Sequence, residues 1–132
     1  MNDTLNNLSP LDGRYREKTQ KSRANFSEKA LIKARLLAEI EWLNYFLSAF
    51  KPDIKDTETS SKINELLKGI PDSLIARVKE IEKTTNHDVK AVELALAEEF
   101  KHSEKVQSLI HIFLTSEDIN SLSYALMLKN AH

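Results

Sequence analysis

The sequence predicts an all-α fold, and three observations support this. Apolar residues recur mostly at intervals of three to five through most of the 132 residues, which places them on one face of a helix. No segment alternates apolar and polar residues over a useful length, so strands are not expected. The two glycines and three prolines all fall at the ends of periodic segments, where helices stop and start.

The periodic segments predict six helices. The first covers about residues 26–50, where Leu36, Ile40 and Leu43 share one face. The remaining five are expected over residues 60–69, 71–83, 89–100, 104–114 and 116–132. The apolar pattern of the last helix is still running at His132, so we expect the chain to be part of a longer protein.

The composition is that of an ordinary globular protein, with 41% hydrophobic and 30% charged residues and a net charge of −1. Cysteine is absent, which excludes disulfides and thiolate chemistry. The start of the chain is polar and shows no signal-peptide pattern. No apolar run approaches the roughly 20 residues of a membrane helix. The sequence therefore predicts a cytoplasmic protein with no membrane partner.

Basic residues are concentrated near the N-terminus. From Arg14 to Arg35 there are eight, against only Glu17 and Glu28. Such an excess could bind an anion, either a phosphate or a nucleic-acid backbone. The plainer interpretation is a solvated helix face, and the sequence leaves both open.

Five consecutive polar residues, Thr84–Asp88, precede the fourth predicted helix. Thr85 and Asp88 are three apart, the spacing of a capping box with aspartate in place of glutamate. Capping leaves Asn86 and His87 free to face solvent or a ligand. Helix N-termini bind anionic groups, and a histidine beside an aspartate can carry charge near neutral pH.

The same spacing occurs again before the last predicted helix. Thr115 and Asp118 stand three apart, and Thr115 and Ser116 put two hydroxyls at the helix start. These hydroxyls could hold a carboxylate or phosphate, and capping alone would explain them equally well.

A third polar cluster lies in an early loop after Pro10. Gly13 permits an unusual backbone conformation. Arg14 carries a planar guanidinium suited to phosphate, and Tyr15 offers a hydroxyl. Taken together, the three clusters predict a binding site for a multiply charged small molecule.

A metal site is not expected. The four histidines show no recognised ligand spacing; they are His87, His102, His111 and His132. Isoleucines flank His111, which predicts an ordinary histidine at a helix flank or at the edge of the core.

Three stretches, in this order, resemble the adenylosuccinate lyases, a family of homotetrameric enzymes in the fumarase/aspartase superfamily. They are "SPLDGRY" (9–15), "KEIEKTTNHDVKAVE" (79–93) and "TSEDINSLSYALMLK" (115–129). The middle stretch is specific to this family, while the last is shared across the superfamily. The alternatives are another superfamily lyase, such as argininosuccinate lyase, and a stand-alone helical module that binds nucleic acid.

The resemblance implies cofactor-free elimination of fumarate from adenylosuccinate, giving AMP, and from the succinylated aminoimidazole carboxamide ribotide. It also implies roles for single residues. Arg14 and Tyr15 would contact the phosphate, and His87 would assist catalysis. The resemblance also implies that substrate is contacted by Asn86, His87, Asp88, Thr115 and Ser116.

The resemblance finally implies a division of the chain. Residues 1–110 would form an N-terminal substrate-binding domain, and residues 111–132 would begin a long helix of the central bundle. The family's general acid and general base lie on stretches that this sequence lacks. We therefore expect the chain alone to be inactive and not to form the family's tetramer. A nucleic-acid partner is not expected either.

Overall fold

The computed structural model describes the backbone of residues 4–132 and the side chains from residue 5 onwards. Two short 3-10 turns, Thr4–Asn6 and Arg16–Thr19, precede the first α-helix. The α-helices are α1 (Gln20–Phe26), α2 (Glu28–Phe50), α3 (Thr57–Lys68), α4 (Asp72–Thr85), α5 (Asp88–Glu98), α6 (Glu104–Leu109) and α7 (Ser116–Ala131). No strand occurs in this part of the chain, which confirms the all-α prediction. Residues 1–3 of the expected first domain lie outside the described residues.

Helix α2 is the centre of the fold. It buries residues on most of its surface, because α1, α3, α4, α5 and α7 all pack against it. Its apolar residues Leu36, Ile40, Leu43 and Leu47 are fully buried in the main core. No helix in the described part of the chain has the length and apolar character needed to cross a membrane.

Helices α4 and α5 form a hairpin against α2, and α7 runs along α2 beside them. A second, small core cluster joins Ala38 of α2, Val89 of α5 and Ile119 of α7. Val89 and Ile119 each lie in the first turn of their helix. Burial of these two side chains on α2 therefore brings the N-termini of α5 and α7 to the same part of the molecule.

Five of the six predicted helices are confirmed to within a few residues. The prediction for residues 104–114 is wrong beyond Leu109, because His111 and Phe113 adopt positive φ angles of 64° and 61°. An α-helix cannot continue through that conformation. The short helix α1 was not predicted; its sequence, QKSRANF, has no apolar period.

Candidate functional site

Arg35 joins two of the three predicted clusters. It lies on α2 and is only 5% exposed. Its Nη2 is 3.0 Å from Oδ2 of Asp88, at the start of α5. Its Nε and Nη2 donate hydrogen bonds of 3.1 and 2.8 Å to Oδ1 of Asn120, in the first turns of α7. One buried guanidinium therefore ties the α5 N-terminus to the α7 N-terminus.

This finding corrects the interpretation of the basic stretch. Arg35 is buried and its charge is opposed by half-exposed Asp88, so it is not available to an anion. Lys29, in the same stretch, pairs with Asp72 at 3.0 Å on the surface. These two residues are therefore not part of a free basic surface.

The polar segment at residues 84–88 does not form the predicted capping box. Helix α4 runs through Thr85, and Asn86 then reverses the chain in a left-handed conformation with φ of 52°. Asparagine tolerates this conformation better than most residues. The N-cap of α5 is His87, whose Nδ1 accepts the Lys90 N–H at 3.0 Å. The prediction is wrong because the turn after α4 places His87, not Thr85, at the helix start.

The capping role fixes the tautomer of His87. A ring nitrogen that accepts an N–H carries no proton, so the proton of the neutral imidazole is on Nε2. His87 and Asn86 are both exposed. The Nε2–H of His87 is therefore the group at this helix start that remains available to a ligand.

Asp88 has partners for both carboxylate oxygens. Oδ1 accepts the Val89 N–H at 2.8 Å, and Oδ2 faces Arg35. Partial burial would raise the pKa of Asp88, but the Val89 N–H and the Arg35 charge outweigh it and hold the pKa below its ordinary value. Asp88 is thus ionised and held in place by the fold.

The capping box at the start of α7 is confirmed. Oγ1 of Thr115 accepts the Asp118 N–H at 3.3 Å, and Oδ2 of Asp118 accepts the Thr115 N–H at 2.8 Å. That backbone N–H is the main reason why the pKa of Asp118 lies below its ordinary value. Ser116 begins the helix and is partly exposed. Within the described residues its hydroxyl makes no hydrogen bond, so it remains available.

Arg14 and Tyr15 form a separate cluster in the turn before the second 3-10 segment. The Arg14 guanidinium lies 5.5 Å from the centre of the Tyr15 ring, within cation–π range. Both line an open depression of about 630 Å³. Within the described part of the chain, neither makes a hydrogen bond or ion pair with residues 85–88 or 115–118. The structure therefore brings together two of the three predicted clusters through direct contacts.

The sequence analysis missed Glu39. This glutamate lies on α2 one turn after Arg35 and is fully buried. Its Oε1 is 2.5 Å from Nδ1 of His111, which lies at the edge of the core in the α6–α7 loop (residues 110–115). Burial raises the pKa of Glu39, against the opposing effect of His111. The sequence contained an indication of this burial, because Glu39 lies three residues after Leu36 and four residues before Leu43, on the apolar face of the helix.

Two helix N-termini lie near one another and present Asn86, His87, Thr115 and Ser116. Their positive dipole ends favour an anion, but Asp88 and Asp118, whose pKa values are lowered, lie at the same ends and oppose part of that charge. The arrangement therefore offers hydrogen-bonding groups to a ligand. Among the described residues, no three histidine or carboxylate side chains are grouped so as to hold a metal ion.

The fold and the site thus define an all-helical region with two adjacent, polar helix N-termini. Its curated relatives are adenylosuccinate lyases. The chain is 48% identical to that of Haemophilus influenzae over 97% of its length, 42% identical to that of Legionella pneumophila over 96%, and 41% identical to that of Escherichia coli over 97%. These matches confirm the resemblance to the N-terminal portion of this family.

Each of these relatives is much longer than this sequence. The chain spans about 29% of their length. No protein-family model matches the chain.

Proposed function

We propose that this chain is the substrate-binding N-terminal portion of an adenylosuccinate lyase. The complete enzyme would eliminate fumarate from adenylosuccinate, giving AMP, and from the succinylated aminoimidazole carboxamide ribotide. The observation that carries the proposal is the buried Arg35, which holds Asp88 and Asn120 together. Both belong to stretches typical of the family. The names of the relatives support the same reaction.

The proposed substrate contacts follow from what each cluster leaves exposed. Asn86 and the Nε2–H of His87 face outward at the α5 N-terminus, so His87 would assist as a hydrogen-bond donor. Thr115 and Ser116 would hold an anionic group at the α7 N-terminus. Asp88 would contact substrate while it orients this segment through Arg35.

Arg14 and Tyr15 would bind the nucleotide phosphate in the depression that they line. A guanidinium is well matched to phosphate oxygens, and the tyrosine hydroxyl adds a hydrogen bond. In this proposal the phosphate end of the substrate would lie at this cluster and the reacting part at the helix N-termini.

The remaining features belong to the complete protein. We propose a cytoplasmic homotetramer that needs no cofactor, with a substrate-binding domain over residues 1–110 and the beginning of a bundle helix from residue 111. The general acid and the general base would come from stretches outside this sequence. General acid–base catalysis requires both groups within hydrogen-bond reach of the substrate. The chain alone should therefore release no fumarate, and turnover that co-purifies with it would contradict this assignment.

The catalytic proposal is testable in a chimera that carries this chain in place of the matching region of the Haemophilus influenzae relative. His87→Asn removes the imidazole but keeps a good N-cap. We expect turnover to fall by about 100-fold, the scale of a lost hydrogen-bond donor to the transition state, while the melting temperature stays unchanged. Near-normal turnover combined with a lower melting temperature would show that His87 only caps α5.

The phosphate contact is testable in the same chimera with a different kinetic signature. Arg14→Ala removes a contact that is similar in the ground and transition states, so it should raise KM with little change in kcat. Lys21→Ala, an exposed basic residue on α1, is the matched control and should change neither constant. Equal effects of the two substitutions would indicate only a loss of general positive charge.

A further inference from the structure

Glu39 is a buried carboxylate that the proposed chemistry does not use. It has no exposed surface, and its Oε2 has no hydrogen-bond partner. Its one described hydrogen bond joins its Oε1 to Nδ1 of His111 at 2.5 Å. A buried carboxylate without a compensating partner is costly, so this single contact must be important to the fold around it.

His111 belongs to the α6–α7 loop, whose backbone conformation has to be stabilised by contacts with the rest of the protein. Both His111 and Phe113 adopt left-handed conformations, which are uncommon for residues other than glycine and especially so for a bulky residue such as Phe113. Two side chains of α2 hold this loop. Glu39 binds His111, and the indole N–H of Trp42 donates to the Ile112 carbonyl at 2.8 Å. The loop continues directly into Thr115 and Ser116, at the start of α7.

We propose that Glu39 is a positioning residue that acts through His111. By holding the imidazole, its carboxylate fixes the α6–α7 loop and thereby sets where Thr115 and Ser116 stand relative to the α5 N-terminus. The effect on loop geometry stands on the contacts alone; only its effect on catalysis rests on the function proposed above.

Two carboxyl groups face the same ring nitrogen of His111. Glu39 approaches it from α2, and Oε1 of Glu93 approaches it from α5 at 3.6 Å. Carboxylate oxygens and an unprotonated ring nitrogen are all hydrogen-bond acceptors, so the contact needs a proton between Nδ1 and Oε1 of Glu39.

Burial raises the pKa of Glu39. A group whose pKa is raised in the folded state contributes stability at low pH and loses it as the pH rises through the folded pKa. The free energy of unfolding should therefore fall as the pH rises through the folded pKa of Glu39.

Nuclear magnetic resonance of this chain tests the contact directly. We expect a persistent, low-field Nδ1 proton signal from His111 in the unaltered chain. In Glu39→Met, which keeps the approximate shape but removes both acceptor oxygens, that signal should be lost, and the amide signals of Thr115 and Ser116 should shift or broaden. The control Glu41→Met makes the same change at an exposed position of the same helix and should leave these signals in place. Unchanged Thr115 and Ser116 signals in Glu39→Met would overturn the proposal.

The unaltered chain provides a further test that does not depend on how the variant folds. If its His111 Nδ1 proton exchanges as fast as that of an exposed histidine, Glu39 does not hold the ring and the proposal fails. In the chimera, Glu39→Met should lower kcat about 10-fold, the scale expected for a displaced binding group. A chimera that is inactive even with Glu39 would count against the proposed function and not against this contact.

Discussion

The N-termini of α5 and α7 have the same sequence spacing and different structures. Each is preceded by a threonine with an aspartate three residues later, Thr85 and Asp88 in one case and Thr115 and Asp118 in the other. At α7 the two form a reciprocal capping box. At α5 they do not, because Thr85 still belongs to α4 and Asp88 pairs with Arg35.

The difference lies in what precedes each helix. A loop precedes α7, so its threonine is free to cap. Only two residues separate α4 from α5. The chain reverses at Asn86, so His87 is the residue that directly precedes α5. The imidazole of His87 therefore caps α5. As a result, the N-cap of α7 comes from the capping box of Thr115 and Asp118, whereas Asp88 at the start of α5 pairs with Arg35 of α2.

The largest expected effect concerns the arginine that joins the two helix starts. Arg35→Met removes the partner of Asp88 and of Asn120. We expect the free energy of unfolding to fall by about 2–3 kcal/mol, less than for a fully buried pair because water can reach half-exposed Asp88. Urea unfolding measures the change, and Lys33→Met, at an exposed position on the same helix, should cost far less. Equal losses would mean that the ion pair contributes little.

A smaller effect separates the two threonines. Thr115→Ala removes a cap and should lower the free energy of unfolding by about 1 kcal/mol. Thr85→Ala removes only long hydrogen bonds of 3.3 and 3.4 Å around His87 and should cost less than about 0.5 kcal/mol. The two variants are to be compared in one set of urea denaturation curves. A reversed order would show that the α5 start depends on Thr85 after all.

The smallest effect is the contribution of Asp118 to acid stability. Its pKa in the folded protein lies below the ordinary value of 3.8. Its contribution is therefore complete above that value and is lost as the pH falls through the folded pKa. Asp118→Asn should be less stable than the unaltered chain near neutral pH, and the two curves should converge below pH 3.8. Asp53→Asn, outside any cap, is the control and should give parallel curves.

Most of the fold was predicted from the spacing of apolar residues, because a helix that packs on a core repeats its apolar residues at the helical period. The long α2 was predicted from residues such as Leu36, Ile40 and Leu43, which are indeed fully buried. Helix α1 is short and polar, and its packing on α2 and α7 leaves little trace in the sequence. The helix predicted past Leu109 failed for the opposite reason. Ile110, Ile112 and Phe113 look periodic, but side-chain contacts to α2 hold the chain in a turn.

The candidate site shows a similar division. Residues that cap and face solvent, such as His87 and Thr115, were found because polar residues in a row before an apolar helix are conspicuous. Arg35 and Glu39 were not found as site residues. Their importance comes from contacts with residues 85 and 72 positions away in sequence, and spacing along the chain does not reveal such contacts.

Trp42 is the sole tryptophan of the sequence, and its indole donates to the Ile112 carbonyl in the α6–α7 loop. Indole emission depends on the hydrogen bonding and polarity around the ring. The chain therefore carries an intrinsic optical reporter at the point where this loop meets α2. Detachment of the loop would expose the indole N–H to water and move the emission to longer wavelength, so the state of the α7 N-terminus can be followed in real time without any attached label.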